Sequence, residues 1–97
     1  MVNYIELMFE YSIRQDEKYE EIISDSRYER RSNLRFIFEH CVFVNEENRF
    51  KIIDFMAIVH ETCKGRWGVD RQGDGDHGGT FFYFEDEEDA VMFRMLI

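Results

Sequence analysis

Residues 34–44 carry apolar side chains on both sides of an alternating pattern. Phe36, Phe38, Val42 and Val44 share one side with His40, and Ile37, Cys41 and Phe43 share the other. A period of two marks a strand, and apolar residues on both sides mark one covered above and below. A chain built on such a strand is a layered one, in which a sheet is packed between other elements.

The remaining segments supply the layers. Thr80-Phe81-Phe82-Tyr83-Phe84 reads as a strand by its aromatic content. Arg66-Trp67-Gly68-Val69-Asp70 reads as a shorter one, with Trp67 and Val69 on one side. Between them residues 72–79 hold four glycines and form a hairpin loop. Residues 3–14 also alternate, with Ile5, Leu7, Phe9, Tyr11 and Ile13 on one face and Glu6, Glu10, Ser12 and Arg14 on the other, Tyr4 and Met8 among them. That alternation predicts a strand with one buried face, and the Leu, Met and Glu content makes a helix the rival reading.

Helical spacing begins at Asp16. Tyr19, Ile22, Ile23 and Arg27 lie three and four apart. Asp16, Glu17, Glu20 and Glu21 stand early in the segment, and Arg27, Arg30 and Arg31 stand late. This order complements a helix dipole over 16–30 before Ser32-Asn33 breaks it. Asn45, with Asn48 three residues on, predicts the start of a helix over 46–64. Ile52, Phe55, Met56, Val59 and Cys63 are its buried stripe, and Gly65 is its stop. Asp86 is expected to cap a last helix, 87–96, with Ala90, Phe93 and Ile97 inward. The expected order is β-α-β-α-β-β-α, an α+β fold with helices on one face of a small sheet. At 97 residues it forms a single domain, 1–97.

No apolar run approaches the roughly 20 residues of a membrane span. The opening Met-Val-Asn-Tyr-Ile-Glu lacks the basic segment of a signal peptide, so the expectation is a cytoplasmic protein with no membrane partner. Cys41 and Cys63 fit no metal spacing; they read as small buried apolar groups in a reducing compartment, with one disulfide between them as the rival reading. With 21 acids against 12 bases, a net −9, the chain is not built to grip bare phosphate, so no direct nucleic-acid binding is expected.

Chemistry-bearing residues are sparse. Asp70, Asp74, Asp76 and His77 crowd the glycine loop. Counted from Asp74, Asp76 is third, Gly79 sixth and Glu85 twelfth, in imitation of a calcium loop. The fifth position, Gly78, offers no side chain. The strand in between spans about 17 Å, which carries Glu85 away. The loop therefore reads as a solvated hairpin tip, with no metal or other cofactor. His40 reads as a packed strand residue and His60 as a boundary residue. No serine or cysteine stands in a nucleophile motif, so no catalytic residue is assigned and an enzyme is not expected. The rival reading is a metal-dependent or catalytic domain using the Asp70 to His77 loop. The aromatics of 81–84 and Trp67 read as core rather than as a base-stacking platform, because their neighbours are acids.

Charge is the most informative feature. From residue 72 to the last residue, Asp74, Asp76, Glu85, Asp86, Glu87, Glu88 and Asp89 face one base, Arg94, a net −6. A helix N-terminus favours one or two acids, but not five in succession. These seven are the candidate partner-binding residues, for a partner with a basic surface. Arg27, Arg30, Arg31 and Arg35 form an opposite pole.

The last third resembles a known group. A helix ending in Cys63-Lys64-Gly65 leads to the strand Arg66-Trp67, then a glycine-rich hairpin, the aromatic strand 80–84, and Asp89-Ala90 with Phe93 after it. This pattern, over residues 49–96, is similar to small uncharacterised proteins encoded by tailed phages, including marine ones. The resemblance implies phage origin and fold, and it carries no activity. It makes the expected partner a host protein. Binding would modulate or inhibit that protein, in the sharpest version by nucleic-acid mimicry against a defence complex. A homo-oligomeric virion component is a further alternative.

Overall fold

The structure, a computed structural model, describes residues 3–46, 48–72 and 78–97. Helix α1 (Tyr4–Ile23) leads through a short 3-10 turn at Leu34–Phe36 into strand β1 (His40–Val44). Helix α2 (Arg49–Thr62), strands β2 (Trp67–Gln72) and β3 (Gly79–Phe84), and helix α3 (Glu87–Leu96) follow. The sheet is antiparallel, in the order β1-β3-β2. The fold is α+β, and the aromatic strand lies at the sheet's centre.

One face of the sheet carries the main core. Val42 and Val44 of β1, Trp67 of β2 and Phe82 and Phe84 of β3 meet Ile22 of α1, Ile52, Ile53, Met56 and Val59 of α2, and Ala90 and Phe93 of α3. The opposite face is covered in part by the segment around the 3-10 turn. There Leu34 and Phe38 pack with Tyr83, Cys41 and Phe81. Residues 27–29 close the free edge of β2. Trp67 donates its amide to the Arg27 carbonyl at 3.0 Å, and Glu29 donates to the Trp67 carbonyl at 2.8 Å. Covering an edge in this way removes a template for aggregation.

Three elements differ from the sequence expectation. Residues 3–14 are not a strand but the first half of α1. Asn3 caps that helix by accepting from the Ile5 amide at 3.0 Å, and Glu6 sits in the first turn. The alternation of Ile5 through Ile13 is a coincidence of composition. Good helix formers decide the segment, and no β-strand of the sheet takes it as a partner.

The helix expected over 16–30 ends at Ile23, with no base in its last turn. Arg27 serves a different helix end, since it donates to the carbonyls of His60 (2.9 Å) and Cys63 at the end of α2. Residues 34–44 form a strand only from His40 onward, because Leu34 turns inward to fill the space beside Gly68.

Smaller shifts have plain causes. Asn48, not Asn45, caps α2, accepting from Phe50 (3.0 Å) and Lys51 (3.3 Å). Ile97 is half exposed rather than inward.

Candidate interaction surface

The start of α3 is held by a buried carboxylate. Asp89 is 7% exposed and accepts from the amides of Lys64 (3.1 and 3.2 Å) and Gly65 (2.9 Å). It also accepts from the Cys63 thiol at 3.2 Å. Burial, reinforced by Asp89, pushes that thiol up to about 12, so it remains a protonated donor. Gly65 is therefore not a left-handed stop for α2. Its amide serves Asp89, and a Cβ there would lie 2.6 Å from the Asp86 carboxylate. Phe93 completes the anchorage, with its ring centroid 4.6 Å from Phe82, 5.7 Å from Phe84 and 6.4 Å from Phe55.

This anchorage sorts the acidic run. Asp89 points inward and cannot meet a partner, a correction to its place among the binding residues. Asp86 occupies the N-cap position, but its side chain makes no capping hydrogen bond. Glu85 faces Arg66 at 3.6 Å, and Arg66 also pairs with Glu29. Glu87 and Glu88 are exposed, with no ion-pair partner among the described residues. Asp74 and Asp76, with His77 of the rival metal loop, lie outside the described residues. Among the described residues no group of three or more metal-capable side chains comes together.

Beside the two free glutamates the outer face of α3 is apolar. Val91, Met92 and Met95 line a shallow groove of about 370 Å³ with Glu87 and Glu88 on its rim. Met95 is 76% exposed. Sequence reasoning missed these three residues, although the signal was present. Glu88, Val91, Met92 and Met95 follow the i, i+3, i+4, i+7 spacing of a single helix face, opposite Ala90 and Phe93. Arg94 leaves the rim, donating to the Cys41 carbonyl at 3.1 Å.

The arginine pole is largely spent within the fold. Arg27 pairs with Asp25 at 2.9 Å, Arg31 with Glu29 at 3.2 Å, and Arg35 lies over the Phe36 ring. Cys41 and Cys63 are both free thiols, one in each of the two apolar clusters. No described helix is long and apolar enough to cross a membrane. No family model, curated protein or solved structure matches the chain.

Proposed function

We propose that the chain is a non-enzymatic interaction protein whose outer α3 face receives a basic, amphipathic segment of a partner protein. If the phage resemblance is followed, the partner belongs to the host. The supporting observation is the groove of Val91, Met92 and Met95 with Glu87 and Glu88 at its edge. Flexible methionines adapt to varied apolar surfaces, and the free carboxylates select a cationic rim on the ligand. Mimicry of nucleic acid is less favoured, because it needs a row of unpaired carboxylates. Here Asp89 is buried and Glu85 faces Arg66.

A lysine- and leucine-containing helical peptide with an i, i+3, i+4, i+7 apolar face is the probe. Titrated into the labelled protein, it should shift the amide resonances of residues 87–96. Glu87→Lys with Glu88→Lys, or high salt, should weaken binding by tenfold or more, mainly through slower association. A peptide that binds elsewhere, or that ignores both the double reversal and salt, would sink this reading.

A further inference from the structure

A half-enclosed pocket of about 140 Å³ opens between α1, the segment that follows it, α2 and β2. Ile52, Ile53 and Met56 of α2 are buried and form its floor. Tyr19 of α1 and Tyr28 are half-buried and form its walls. Arg49 and Arg71 are exposed and stand at its mouth. A cavity of about 150 Å³ accepts a molecule the size of benzene.

The two arginines occupy positions that the core pattern would give to apolar side chains. Trp67, Val69 and Arg71 alternate along β2, so they share the face that carries the main core. On α2, Arg49, Ile52, Ile53 and Met56 follow the i, i+3, i+4, i+7 spacing of one helix side. Each apolar stripe thus ends in a base at the same pocket. The chain has 21 acids against 12 bases, yet no acid is among the described residues that line this pocket.

Arg49 is also held in place. It pairs with Asp16 at 2.8 Å, and its guanidinium lies 5.9 Å from the centre of the Tyr19 ring. Asp16 meets it through Nη2 in an exposed pair, and the five N–H donors of a guanidinium serve more than one acceptor. Burial first, and the neighbouring Tyr19 second, push the Tyr28 phenol up to about 12. That wall therefore stays neutral and brings no negative charge against an anion.

We propose that this pocket binds a small organic anion, a carboxylate on a compact apolar body about the size of a benzene ring. The body rests on Ile52, Ile53 and Met56, and the carboxylate meets Arg49 and Arg71, whose planar guanidinium forks match its two oxygens. Inorganic phosphate would satisfy the arginines and leave the aliphatic floor in water. A neutral hydrocarbon would cover the floor and leave the guanidiniums unused. A ligand with both parts uses both. No residue of α3 is named in the pocket's lining, so the inference does not rest on the reading of the α3 groove.

Benzoate is the probe. Its binding is followed by the amide resonances of the labelled full chain and by the fluorescence of Trp67, whose ring centroid lies 5.0 Å from that of Tyr28. Resonances of residues 49–56 and 69–71 should shift and saturate, with a dissociation constant of roughly 1 mM or tighter. Benzyl alcohol, acetate and inorganic phosphate should each bind about tenfold more weakly. Arg49→Met and Arg71→Met keep an apolar stem and remove the charge. Each should weaken benzoate by about tenfold, with circular dichroism unchanged. Asp16→Asn releases Arg49 and should tighten benzoate by about threefold, the scale of an exposed ion pair. Phosphate that binds as well as benzoate makes the aliphatic floor irrelevant, and benzyl alcohol that does so makes the arginines irrelevant. Either result overturns the proposal. So does benzoate that fails to saturate or that ignores both methionine variants, since the arginine stems then only cover the edge of the core.

Discussion

The Asp89 carboxylate accepts the Gly65 amide at 2.9 Å, joining the first turn of α3 to the residues that end α2. The Lys64 amide and the Cys63 thiol converge on the same carboxylate. One acid thus gathers the part-buried amides of the two residues that follow the end of α2.

Asp89 should therefore behave unlike its neighbours. Asp89→Ala removes a buried acceptor from the part-buried amides of Lys64 and Gly65 and is expected to cost about 2 kcal/mol. For a domain of this size that is a fall of roughly 10 °C in Tm. Glu87→Gln and Glu88→Gln should stay within about 0.5 kcal/mol of the parent. Thermal melts of the three variants decide the matter. Equal melting temperatures would mean that Asp89 is only another surface acid.

A second prediction concerns acid. The hydrogen bonds from the Arg27 side chain and amide hold the Asp25 carboxyl down at about 2. Its folded pKa lies below the unfolded one, so its contribution is fully present above about pH 4. It is lost as pH falls from there through 2. Asp25→Asn should lower the urea midpoint at pH 7, and the gap between parent and variant should close between pH 4 and pH 2. A gap that stays constant across that window would show that the ion pair contributes nothing to stability.

The sheet and the last helix were legible because their signals are local. Trp67 and Val69 alternate, the aromatic strand alternates, and α3 occupies 87–96 as its acidic start and apolar spacing predict. The first third was misread for two reasons, helix propensity that outweighs an alternating pattern and an arginine whose partners are remote in sequence. The alternation of Ile5, Leu7, Phe9, Tyr11 and Ile13 satisfies a strand template, yet no β-strand of the sheet pairs with it. Arg27 looks like the basic end of its own helix, but it caps α2 across a separation of 36 residues. For the candidate surface, charge counting found Glu87 and Glu88 but could not separate them from Asp89. That distinction depends on where the residues after α2 present their amides.

The third prediction uses two glycines that differ in what surrounds them. At Gly68 an added Cβ would lie 2.9 Å from the Glu29 carbonyl oxygen and 2.7 Å from Leu34 Cδ1. The oxygen belongs to the segment hydrogen-bonded along the edge of β2, where Glu29 donates to Trp67, so it cannot retreat without breaking that edge. Leu34 is fully buried and has no room to swing aside. At Gly65 the nearest obstacle is the Asp86 carboxylate at 2.6 Å, an exposed side chain that makes no capping bond and is free to rotate away. Neither glycine adopts a left-handed backbone, so the comparison is one of space alone. Gly68→Ala is expected to destabilise by about 1–3 kcal/mol, the range for forced overpacking. Gly65→Ala should cost clearly less. Urea titrations of both variants rank them. If Gly65→Ala proves the more damaging, the edge formed by residues 27–29 yields more easily than its hydrogen bonds imply, and the close approach of Leu34 to β2 is not what fixes the turn before β1.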